Sequence, residues 1–271
     1  MSPRRTTTAG PTGPAPSGPM PGVPGPSAPA RSAPQAAGRS RPGFGLLGPR
    51  RDRHVLPVEQ LAALRLPLGD DGVVAGVDAK GQPAVLGLFR PTQLDVVVIG
   101  SVWTAQVLAL RTAGTGARVA VETARPQAWT GLAQAAGGGQ QCMTVHDVKQ
   151  VGPQGASVTS PVLVVRDCGM RPPRSRLATG PWQSVLTLMP FLGPTAPKLI
   201  ENAGLVGIQR VSPEEAAVLG RLLRLPQVQA EALPSLGDDM VLWCTTQHRK
   251  LVKLQPTDIE AGLLGVPRRL D

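Results

Sequence analysis

The run Leu94–Gly100, LDVVVIG, constrains the fold of this chain more than any other stretch. Apart from Asp95 it is apolar from Leu94 to Ile99, which leaves no side for water and suits a strand buried on both faces. Strands of that kind belong to parallel sheets, where crossover connections lay helices on either face.

The segments that follow alternate in the way such a sheet requires. TAQVLALRTA reads as a helix, ARVAVET (Ala117 to Thr123) as a strand and PQAWTGLAQAA as a second helix. QQCMTVHDV, PVLVVRDCG, SVLTLMP and AGLVGIQRV read as four further strands. SPEEAAVLGRLLRL is a helix that Ser212 should cap, with Glu215 three residues on completing a capping box. Ahead of the run, Val73 to Val77 and Ala84 to Phe89 form a predicted hairpin turning through Asp78-Ala79-Lys80-Gly81. DMVLWCTTQ and KLVKLQP close the chain as a hairpin-like pair, and LPVEQLAAL (Leu56 to Leu64) has helical spacing. The expected fold class is α/β: a mostly parallel sheet with helices on both faces.

Residues 1–53 cannot join that fold. They are Pro, Gly, Ser and Ala, with arginines at Arg4, Arg5, Arg31, Arg39, Arg41, Arg50, Arg51 and Arg53 against the single acid Asp52. Such a segment buries too little apolar surface to offset its chain entropy, so a disordered tail is expected, with the folded domain spanning 54–271. A plain tether and an arginine-rich arm for nucleic acid, anionic lipid or an acidic partner are the two uses open to it. The net charge of +10 favours acidic partners, but the chain has no tyrosine and 3 phenylalanines, too few aromatics for a base-stacking platform. Abundant Ala, Gly, Pro and Arg fit a GC-rich genome. The 3 cysteines, Cys142, Cys168 and Cys244, lack CxxC spacing. Cys142 and His146 are two ligands at most, so no metal site is expected. Without an apolar leader or a spanning run, a cytoplasmic protein is expected, with any membrane association through a partner.

In an α/β sheet the chemistry concentrates where a central strand hands over to its helix. Here that junction reads Gly100-Ser101-Val102-Trp103-Thr104-Ala105-Gln106-Val107. Set against G-x-x-x-x-G-K-[ST], the register is kept and the chemistry is gone. Ala105 stands for the second glycine, Gln106 for the lysine that faces the phosphates, and Val107 for the hydroxyl that ligates magnesium. Val102 and Trp103 add bulk where backbone amides should wrap the phosphates. The same residues meet G-x-G-x-x-[GA] only in part: Gly100 and Ala105 fit and Glu122 stands where a ribose-binding acid belongs, but Val102 replaces the middle glycine. A Rossmann-like dinucleotide binder is therefore an alternative.

Taken in order, GVDAKGQPAVLGLF before LDVVVIG, the degenerate junction, PVLVVRDCG, the stretch from Leu186 to Val211 and SLGDDMVLW resemble the motor domain of FtsK/SpoIIIE-type translocases. That family includes the EccC ATPase of actinobacterial type VII secretion, and the resemblance runs from Leu66 to Asp271. It implies a P-loop NTPase fold, with Asp167 in or near the Walker B acid position and Cys168 where a second acid usually stands. The departures fall on the chemistry: no Walker lysine, no Ser/Thr at Val107, no acid pair, and Met189-Pro190 where the family carries a polar glutamine. The resemblance thus implies a catalytically inactive module without an ATP cofactor. Its implied role is binding a protein partner, such as a secretion or translocase ATPase. The arginines Arg171, Arg174 and Arg176 are read as a solvated loop, or as a finger aimed at a neighbouring subunit.

Overall fold

The computed structural model describes residues 72–137, 140–169, 177–178 and 180–269, all within the unit Arg65–Asp271. The arginine-rich tail, the helix read at Leu56 to Leu64, and Arg171, Arg174 and Arg176 lie outside the described residues.

Ten strands form one sheet: β1 (Val73–Asp78), β2 (Pro83–Leu86), β3 (Leu94–Ile99), β4 (Arg118–Thr123), β5 (Met143–Asp147), β6 (Val162–Asp167), β7 (Gln183–Met189), β8 (Leu205–Ile208), β9 (Met240–Cys244) and β10 (Arg249–Lys253). Their spatial order is β2-β1-β10-β9-β8-β3-β7-β6-β4-β5. From β8 to β5 the neighbours run parallel, and β9, β10, β1 and β2 extend the sheet antiparallel. The apolar run is β3, at the centre of the sheet between β7 and β8.

Strand side chains alternate between faces, so each inner strand feeds two cores. On one face, Val96 and Val98 join Leu186, Leu188, Leu163, Val165, Val119 and Val121. They pack under α1 (Val102–Gly114), α2 (Gln127–Ala136) and α6 (Asp258–Leu264), which contribute Leu108, Leu132 and Leu264 among others. On the other face, Val97, Ile99, Met189, Val206 and Ile208 meet Ile200, Ala216 and Leu219. Those come from α3 (Ala196–Asn202) and α4 (Pro213–Leu222). The short α5 (Gln227–Ala232) and a 3-10 turn at Leu233–Ser235 complete that layer. Fully burying one such aliphatic side chain contributes about 1.5–3 kcal/mol. The architecture is the expected one: an α/β, mostly parallel sheet with helices on both faces.

Three helices were not anticipated from sequence. α3, α5 and α6 have only 7, 6 and 7 residues, too short to show two turns of apolar periodicity. The Ser212 capping box is present, and α6 has its own, between Thr257 and Glu260. No helix of the described residues is long and apolar enough to cross a membrane.

α6 lies against α1 through one buried ion pair. Arg111, in the last turn of α1, sends Nε to Glu260 Oε1 at 2.7 Å and Nη2 to Oε2 at 2.8 Å. The same guanidinium also donates to the carbonyls of Val74, Ala75 and Gln255. Burial raises the Glu260 pKa, but the Arg111 and Thr257 hydrogen bonds outweigh it, and the net direction is down. A depressed carboxyl pKa gives stability that is present at neutral pH and lost as the pH falls through the folded value. Arg111→Ala should therefore cost about 3 kcal/mol in urea unfolding at pH 7. The gap to the parent should narrow as the pH falls below about 4.3, the ordinary glutamate value.

Candidate functional site

β3 ends at Ile99, and α1 begins at Val102, so only Gly100 and Ser101 separate strand from helix. This corrects the sequence reading at Val102 and Trp103, which are helix; Thr104, Ala105, Gln106 and Val107 continue the helix as expected, and no phosphate-wrapping loop lies between strand and helix. The reason is local. No glycine follows Gly100 before Gly114, and Ser101 is extended at φ −88°, ψ 160° and caps the helix at once. Its Oγ accepts the Thr104 amide at 3.3 Å.

The place at the helix N-terminus where an anion would sit is filled by the protein. Gln209, immediately after β8, puts Oε1 2.7 Å from the Ser101 amide. Its Nε2 donates to the Asp238 carbonyl at 2.9 Å, so both ends of the amide are used, and Gln209 is fully buried. Gly100 is glycine because of this contact: a Cβ there would lie 2.4 Å from Gln209 Oε1. Gly100 itself donates its amide to the Met189 carbonyl at 3.0 Å.

The side chains at the remaining junction positions all point into the protein. Trp103 is buried in the core beneath α6 and donates Nε1 to the Gly265 carbonyl at 3.2 Å. It therefore packs rather than plugging an open pocket. Thr104, Ala105 and Val107 are fully buried. Gln106 donates Nε2 to the Ala128 carbonyl of α2 at 2.6 Å, away from the junction. After α6 the chain crosses the C-terminal ends of the strands, and Arg269 donates to the carbonyls of Pro190, past β7, and Arg210, past β8.

Asp167 ends β6 fully buried and spent on donors. Arg125 reaches it bidentately, Nε to Oδ2 at 2.8 Å and Nη2 to Oδ1 at 2.9 Å, and Trp129 Nε1 adds 2.8 Å to Oδ2. A guanidinium thus holds the carboxylate that a metal ion would need. One residue back and on the opposite face, Glu122 of β4 pairs with Arg166 of β6 at 2.6 Å and accepts the Lys149 amide at 2.7 Å. Glu122 is fully buried and committed, so it is not presented to a ribose. Cys142 and His146 sit before and within β5, not on a helix, and no group of three His, Cys, Asp or Glu among the described residues could hold a metal. Burial, together with the Glu122 charge, pushes the Cys168 thiol up to about 12, and burial pushes Cys244 up to about 11.

Gln209, Arg125 and Arg269 had no signal in the sequence as site residues. Each acts on a partner far along the chain, and only the strand order brings them together.

No family profile matches the chain, and no curated protein does. Among solved structures, VirB4 of Thermoanaerobacter pseudethanolicus superposes at a TM-score of 0.48 with 10% identity, over 71% of this chain and 98% of that one. The genome packaging NTPase of Sulfolobus turreted icosahedral virus 2, in complex with AMPPCP, superposes at 0.44 with 11% identity, over 62% of this chain and all of its own.

Two outcomes follow from the geometry. Gly100→Ala should destabilise by about 2 kcal/mol, mostly by displacing Gln209. In a Gln209→Ala background most of that cost should vanish, a coupling of about 1 kcal/mol or more in a double-mutant cycle of urea unfolding; strict additivity would refute the link. At pH 8 Cys168 should be thiolate in only about one molecule in ten thousand. Its reaction with a disulfide reagent should then be slower than that of free cysteine by orders of magnitude, and match it only after unfolding.

Proposed function

We propose that this chain is a P-loop-fold module that neither holds nor hydrolyses ATP and that acts by binding a protein partner. The observation that carries the reading is the Gln209 oxygen on the Ser101 amide, at a strand–helix junction with no loop. An incoming phosphate would have to displace a buried amide that is bonded at both ends, and Gln106 and Val107 stand where the motif has its lysine and metal-binding hydroxyl. The Arg125–Asp167 pair speaks the same way for magnesium, since the metal would have to expel a bidentate guanidinium.

A fold that keeps its sheet and helices without their chemistry still presents surfaces, and recognition is the use left to it. The partner class comes from the resemblance of the sequence to FtsK/SpoIIIE-type motors. On that ground the partner is a translocase ATPase, with type VII secretion as the setting. The test is calorimetric titration of the full chain with Mg-ATP, with NAD and NADP in parallel. No nucleotide should bind tighter than about 1 mM, or about 4 kcal/mol. Micromolar Mg-ATP binding would show that the junction opens and would overturn the reading; micromolar NADP binding would give the chain to dinucleotides.

A further inference from the structure

The strap that follows α6 is pinned at its two ends and exposed between them. Gly265 takes a positive φ of 72° that turns the chain out of the helix, and its carbonyl accepts Trp103 Nε1. Val266 and Arg268 face solvent, and then Arg269 turns inward to 4% exposure. Among its contacts are the Arg210 carbonyl, 2.6 Å from Nε, the Pro190 carbonyl, 2.7 Å from Nη2, and the face of Phe191, 5.8 Å from the ring centroid.

That socket is chemically selective. Two carbonyls accept from two nitrogens of one planar fork, and a ring face takes the delocalised cation. A lysine ammonium is a compact, strongly hydrated point charge and matches neither the fork nor the stacking. The socket also opens on a cleft of about 750 Å³ lined by Phe191, Arg210, Ser212, Pro213, Pro234 and Arg269, so another chain has room to approach it. Phe191 is itself 44% exposed.

We propose that the carbonyls of Pro190 and Arg210 with the Phe191 ring form a guanidinium-binding site, filled in cis by Arg269. A protein partner's arginine takes the site when strap 265–269 lifts. The second statement rests on the partner-binding reading above; the first does not. Strap release would also uncover the Trp103 indole, which couples the socket to the strand–helix junction.

The experiment is chemical rescue in the full chain. Arg269→Ala should lower the Tm, and N-acetyl-arginine amide should restore it with a half-effect in the millimolar range. N-acetyl-lysine amide should need at least tenfold more. The unsubstituted chain, its socket already filled, should show no such preference, and adding Phe191→Ala to Arg269→Ala should reduce it. Should Arg269→Ala not fold, Arg269→Lys serves, since it keeps the charge and loses the fork. Equal response to the arginine and lysine amides, or no response to either in the variant that folds, refutes the site. Rescue by arginine amide with no displacement of Arg269 by arginine-bearing peptides in the parent refutes the exchange alone. Neither result depends on nucleotide binding, so the two proposals fail separately.

Discussion

The contact between Gln209 Oε1 and the Ser101 amide sets the character of the whole molecule, because it sits where the sheet changes direction. From β3 the chain moves one way to β4 and β5, returns through β6 and β7, and crosses to β8 on the other side. The C-terminal end of β3 is thus the crevice that an open α/β sheet offers to a ligand. Filling it with a side chain from just past β8 ties the two halves of the parallel sheet together at the point where a ligand would otherwise part them. An unpaired amide there would cost about 1–3 kcal/mol. The glutamine removes that cost without adding a charge, which a bound phosphate would.

The same logic governs the buried charges beside it. Asp167 and Glu122 point to opposite faces of adjacent strands, and each has an arginine of its own. Buried pairs of this kind are weak sources of net stability, since desolvation offsets most of the attraction. What they do is remove vacancies. A lone carboxylate at the end of β6 would be a candidate for a cation, and Arg125 ends that candidacy. The charge a magnesium ion would bring has a counterpart in Arg125, and the acceptor oxygen a phosphate would bring has a neutral one in Gln209.

How much of this could be read beforehand follows from which forces are local. The inner strands were legible because burial on both faces forces every residue from Val96 to Ile99 to be apolar, whatever the site does. The capping box at Ser212 was legible because it spans three residues. α3 and α6 were not, since seven residues with Pro or Gly inside or at the border give no clear period. The junction was misjudged in a more instructive way. Aligning Gly100 to a phosphate-loop motif presumes the loop's length, so Trp103 was placed in a loop when a serine cap had already started the helix. The partners that fill the crevice, Gln209 and Arg269, lie over 100 residues along the chain, and nothing in their own neighbourhoods marks them.

The junction differs from a phosphate loop in its backbone before it differs in its side chains. With α1 starting at Val102, position 106 lies four residues into the helix, about 6 Å along the axis, and faces α2 rather than the helix N-terminus. A lysine placed there would inherit that direction. A phosphate site at this junction needs several residues of chain to turn its amides inward, and here those positions belong to a helix whose first turn is core. Val102, Trp103 and Ala105 are buried in the core, where they pack against the sheet. The sheet does not rest on a ligand at this end, because β3 and its neighbours are held by apolar side chains on both faces. Trp103 is buried and donates to the Gly265 carbonyl, so truncating it would cost both packing and a hydrogen bond.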